Sequence, residues 1–151
     1  MSEQDLICRE LTSDEIVALE QGLNFAAKLA RGERPLSARQ IQRLYDAFIE
    51  EEITDADAII SLGLAFGENI AQTGGFEWVR IEDEYGEETS LRLIGKTVYC
   101  HPISMIQKRI ERREGADIGE LTDDAVAHVL EMSERFDREL AELPGDDEES
   151  S

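Results

Sequence analysis

A chain of 151 residues, 41% of them hydrophobic, is long enough to bury one core and too apolar to remain unfolded. Its 35 acidic residues against 15 basic ones, a net charge of -20, argue against nucleic-acid phosphates and anionic membranes as partners, because both require clustered Lys and Arg. The same imbalance favours a basic protein or a cation, and it costs some stability through self-repulsion.

In chain order, residues 1–11 form an acidic start with no apolar segment behind it, which predicts a flexible N-terminus and no signal peptide. Nothing in the chain approaches the roughly 20 apolar residues of a membrane span. Cys8 and Cys100 form no CxxC pair and predict reduced thiols, so the expected location is cytoplasmic. Residues 12 to 30 read as a helix: Thr12 and Glu15 have capping-box spacing, and Ile16, Leu19, Leu23, Ala26 and Ala30 recur at three and four. A second helix begins at Ser37 with Gln40 as its capping partner. Ile41, Leu44, Tyr45, Phe48 and Ile49 make its buried face before the acidic run Glu50-Glu51-Glu52. A third helix spans about 55 to 72. Inside it Gly63 and Gly67 share a face, and each costs about 1 kcal/mol relative to Ala. Another backbone pressed against them is the expected compensation.

Thr73-Gly74-Gly75 breaks the helical pattern and strands follow. Phe76 to Glu82 is the first; its alternation slips at Trp78-Val79, which predicts a bulge or a strand covered on both faces. A turn around Gly86, the strand Thr89–Ile94, a turn with Gly95 first of its central pair, and the strand Thr97–His101 complete a three-stranded antiparallel meander. Pro102 opens a fourth helix with Ile103, Ile106 and Ile110 on one face and Lys108, Arg109, Arg112 and Arg113 on the other. Gly115 and Gly119 bracket a loop, and a fifth helix runs from Thr122 to about Leu143. The predicted whole is one α+β domain over residues 12–143, in the order α-α-α-β-β-β-α-α. Residues 144–151 are predicted to be a disordered acidic tail.

Four motifs in the middle of the chain carry a resemblance. They are Leu62-Gly63-Leu64-Ala65-Phe66-Gly67-Glu68, Phe76-Glu77-Trp78-Val79, Asp83-Glu84-Tyr85-Gly86, and Pro102 through Glu111. In order and spacing, the stretch from about 55 to 113 resembles a bacterial family, domain of unknown function 3806. The resemblance implies the helix–meander–helix organisation and carries no activity with it.

The residues themselves offer little chemistry. Glu82, Asp83, Glu84, Glu87 and Glu88 crowd one turn without the spacing of a calcium loop, and a solvated acidic turn is the plainer reading. His101, His128, Cys8 and Cys100 have no zinc spacing. Cys100 and His101 are adjacent on a strand and point to opposite faces. No phosphate loop and no cofactor motif is present. The basic strip Lys108, Arg109, Arg112, Arg113 is expected to pair with acids of the turn at 82–88 or of the last helix.

If Val79, Ile81, Leu91, Leu93, Val98 and Cys100 face the helices, then Trp78, Arg80, Arg92, Tyr99 and His101 share the other side of the sheet. That side is either an interaction surface, since Trp, Tyr and Arg dominate hot spots, or is covered by a helix that makes Trp78 core. Glu68, Asp83, Lys108 and Arg109 are candidates for a pocket or a buried polar site. The leading expectation is a non-catalytic interaction module for a basic protein partner, of an immunity or regulatory kind. The alternatives are a small-molecule or divalent-metal-binding regulatory domain, with its pocket between the meander and the Gly63/Gly67 helix, and an enzyme using buried carboxylates such as Glu68.

Overall fold

The computed structural model describes residues 6–84 and 86–142. The element order is β1 (Ile7–Arg9), α1 (Ser13–Ala30), α2 (Ala38–Glu50), α3 (Ala56–Ala71), β2 (Phe76–Asp83), β3 (Gly86–Leu93), β4 (Tyr99–Cys100), α4 (Pro102–Glu111) and α5 (Ile118–Glu142). Among the described residues the fold is α+β, with five helices on an antiparallel sheet of order β1-β2-β3-β4. The sheet has four strands, not the three read from the sequence. Ile7–Arg9 pairs with Glu82–Arg80 along the free edge of β2, and a three-residue strand is too short to announce itself by alternation. The predicted tail at 144–151 lies outside the described residues.

The capping signals set the helix starts. Thr12 with Glu15, and Ser37 with Gln40, form complete capping boxes, and the Asp55 side chain caps α3. α5 starts four residues earlier than Thr122. Its first turn is held by Asp117, whose carboxylate accepts from Glu120 N at 3.0 Å, and by Gln42, which accepts from Ile118 N at 2.7 Å. Fully buried Ile118 then anchors that turn, and Gly119 lies inside the helix.

α3 is the central element, packed against α1, α2, α4, α5 and β3. Its glycines are explained by this position. A Cβ on Gly63 would lie 2.7 Å from Ile103 Cα, and one on Gly67 would lie 2.6 Å from Trp78 Cη2 and 2.7 Å from Pro102 Cγ. The main core gathers Tyr45, Phe66, Leu91, Ile106 and Ile118; a smaller cluster joins Leu19, Leu23 and Leu64. Trp78 touches both. Ile16, placed by the sequence on the buried stripe of α1, is instead exposed, and Ala27 takes its part.

The register corrects the face assignment of β2. Directly opposed residues of an antiparallel pair share a face, and Trp78 lies opposite Leu91, which lies opposite Cys100. Trp78 therefore faces the helices, and Val79 and Ile81 face away with Ser90 and Arg92. The apparent slip is a regularly paired strand buried on both faces, since Val79 and Ile81 are also inaccessible. The second turn differs as well. Lys96 N donates to Leu93 O, so Gly95 is the second of the central pair, with φ +79.

Candidate functional site

The five residues expected on one open sheet face are divided between two. Trp78 and Arg80 lie on the helical side, Arg80 opposite Thr89. Arg92 and Tyr99, directly opposed, lie on the outer side. There Arg92 Nε donates to Glu77 Oε2 at 2.7 Å, and its Nη1 reaches Cys8 Sγ at 3.5 Å. Glu77 is opposite Arg92 and Cys8 is opposite Ile81, so the guanidinium crosses β2 above Val79. Burial and the neighbouring Cys8 thiol push the Tyr99 hydroxyl above its ordinary pKa. The Arg92 side chain thus lies along this side of the sheet.

His101 stands at the start of α4, and its Nδ1 shares a 2.8 Å hydrogen bond with Ser90 Oγ. The pair resembles half of a hydrolytic site. Ser90, however, is fully buried, which closes Oγ to a substrate. Asp83 and His101 border a small cavity of about 170 Å³. Glu88 does the capping that His101 does not: its carboxylate accepts from Ser104 Oγ at 2.8 Å and from Ser104 N at 3.2 Å, at the N-terminus of α4.

Glu68, the leading carboxylate for catalysis, is held by an arginine. Arg34 donates to its Oε2 through Nη2 at 2.8 Å and Nε at 3.2 Å, and also pairs with Glu20 at 2.5 Å. These bonds raise the pKa of Arg34 further above its ordinary value. A carboxylate engaged in this way is a poor general base. The basic strip finds other partners than the sequence suggested. Arg109 donates to Met105 O at 3.1 Å, Arg112 lies 3.8 Å from Glu114, and Lys108 is exposed. Asp83 and Arg109 line different cavities, so Glu68, Asp83, Lys108 and Arg109 do not form the one pocket expected of them.

The feature that sequence reasoning missed is a charge network at the open end of the sheet. Arg9 grips Glu15 with two bonds of 2.8 Å and reaches Glu82 at 3.1 Å. Arg80 donates to Glu87 at 3.1 Å and to Thr89 Oγ1 at 2.9 Å. Bonds from Arg9 and from Thr12 N lower the pKa of Glu15 to about 2. Only the pairing of β1 brings Arg9 here, which is why spacing along the chain gave no sign of it. Beside the network opens a cavity of about 380 Å³ between α1, α3, α4 and the β2–β3 hairpin, walled by Leu19, Ile60, Leu64 and Ile103. It lies where a pocket between the meander and α3 was expected. Gly63 and Gly67 do not line it, because neighbouring groups already fill the space beside them.

Among the described residues, no group of three His, Cys, Asp or Glu is placed to hold a metal ion, and no helix is long and apolar enough to cross a membrane. The family described as Domain of unknown function (DUF3806) matches residues 37–121, wider at both ends than the four motifs and including α2. No curated protein matches the chain. A crystal structure from Bacteroides thetaiotaomicron is similar over 85% of this chain, with a TM-score of 0.67 at 16% identity. The chain spans about half of that one (51%), and the likeness is one of fold.

Proposed function

The chain belongs to the domain of unknown function 3806 family, and from that premise we propose that it is a non-catalytic module that binds a basic protein partner through the carboxylate face of α5. One observation carries the reading. Glu120, Asp123, Asp124, Glu131, Glu134, Asp137, Glu139 and Glu142 are all exposed on α5, against only Arg135 and Arg138. Clustered carboxylates on one helix steer a basic surface towards it and repel acidic competitors.

Groups that chemistry would need are engaged in the fold: Glu68 by Arg34, Glu15 by Arg9, and Ser90 by burial. An immunity-type or regulatory role in the cytoplasm fits, and the free thiols Cys8 and Cys100 are consistent with a reducing compartment.

The test is capture of partners by the immobilised chain beside its triple variant Asp123→Lys, Glu131→Lys, Glu134→Lys. A protein retained at low ionic strength, released by salt and lost on the variant supports the reading. Retention of nothing, or of the same proteins by both chains, overturns it. A second reading, a small-molecule-binding regulatory domain, is favoured by the cavity, whose volume is within the ~300–1,000 Å³ of ligand pockets. A melting temperature unmoved by any metabolite or divalent cation would count against that reading.

A further inference from the structure

We infer that the cavity at the open end of the sheet takes the side chain of a lysine presented by the basic partner. The inference rests on the basic-partner reading and adds a specific site to it.

The cavity has two chemically distinct parts. Leu19, Ile60, Leu64 and Ile103 supply apolar walls on three different helices. The charged part of the lining is Arg80 with Glu15, Glu87 and Glu88, beside the neutral Thr89 and Gln107. Arg9 and Glu82 belong to the same network and cancel each other, so two carboxylates remain in excess. An excess of negative charge beside apolar walls is complementary to a cation on an aliphatic stem, and an anionic ligand would be repelled.

The hydrogen-bond geometry selects an ammonium over a guanidinium. A guanidinium is recognised best by a carboxylate with both oxygens open to its planar fork. No lining carboxylate offers that. Both oxygens of Glu15 are occupied by Arg9. Both oxygens of Glu88 are occupied by Ser104. Glu87 already receives Arg80 on Oε1. Glu15 and Glu88 each retain a single lone pair, and Glu87 keeps Oε2 beside its occupied Oε1; a compact ammonium with three rotatable donors can use these one at a time. The mouth is accessible, since Ile60 is 40% exposed and the Glu87 side chain 47%.

The experiment follows methyl resonances of the isotope-labelled full chain during titration with acetyl-Gly-Lys-Gly-amide. Its arginine and norleucine counterparts and cadaverine are titrated in parallel. The lysine peptide is expected to shift the methyls of Leu19, Ile60, Leu64 and Ile103. The arginine peptide is expected to bind several-fold more weakly, and the norleucine peptide to leave the methyls unmoved. Ile60→Lys alters an exposed side chain outside the charge network and places an ammonium at the mouth. It should weaken lysine binding about tenfold or more, with the melting temperature retained.

Equal binding of the arginine or norleucine peptide overturns the inference. So does cadaverine filling the cavity while the lysine peptide does not, since the ligand is then a free amine. Shifts confined to α5 overturn the cavity site and leave the basic-partner reading standing. Lysine binding in the cavity, with no partner retained by the native chain, preserves the site and removes the reading of α5.

Discussion

At the residue scale, the two cysteines show how similar side chains diverge with position. Cys100 is 6% exposed, and burial, followed by the charge of Glu88, pushes its thiol up to about 11. Cys8, on the short edge strand, is partly accessible. A thiol must be both reachable and ionised to react. Iodoacetamide at pH 8 should therefore label the folded protein once, at Cys8, with Cys100 labelled only after unfolding. Mass spectrometry of the tryptic peptides checks this, and rapid labelling of Cys100 in the folded protein would contradict the burial. The sequence showed that no CxxC motif exists. It could not show which thiol is shielded, because Cys100 is buried in a core assembled from elements along the whole of the chain. Glu68 is a similar case: its partner Arg34 precedes it by 34 residues, beyond the reach of any local pattern.

At the element scale, the starts of α1 and α2 were legible because a capping box is a contact between residues three apart, whereas the start of α5 depends on Gln42, far away in the chain, and was misplaced by four residues. The glycines of α3 were legible as an anomaly, and the structure supplies the cause. Ala is the better helix former by about 1 kcal/mol, yet Gly63→Ala should destabilise the protein by about 1–3 kcal/mol, because the new methyl meets the α4 backbone and cannot be accommodated by a rotamer change. Gly119→Ala is the control. Also within a helix, it has only its own neighbour Asp117 near the new methyl, at 3.5 Å, so it should be neutral or stabilising by up to about 1 kcal/mol. Urea denaturation of both variants decides the matter; equal effects would mean that propensity and not packing governs Gly63. The phase of β2 was not legible. With apolar residues on both faces, alternation cannot say which face meets the helices, and the pairing with β3 settles it.

At the scale of the whole molecule, charge opposes folding and one network resists it. Raising ionic strength should raise the melting temperature by screening the repulsion of a -20 chain, while weakening any basic partner's grip; a melting temperature that falls with salt would mean the ion pairs outweigh the repulsion. Acid acts through Glu15. Its folded pKa of about 2 lies below the ordinary 4.5, so the unfolded chain binds the proton more readily. The stability that Glu15 contributes is complete above about pH 4.5 and is lost as pH falls towards 2. Replacing Arg9 with Met should move the titration of Glu15, followed by carboxyl resonances, part of the way back towards its ordinary range, the Thr12 bond remaining, and should lessen that part of the acid dependence.

The amino-acid sequence by itself determined the helices, the hairpin, the family stretch and the sign of the surface, because these follow from spacings of a few residues and from composition. Only the tertiary structure decided the fourth strand, the face of Trp78, the arginines that hold Glu15 and Glu68, and the cavity beside them. Each depends on chain segments brought together by core packing and strand register, and no periodicity along the chain records which distant segment will arrive.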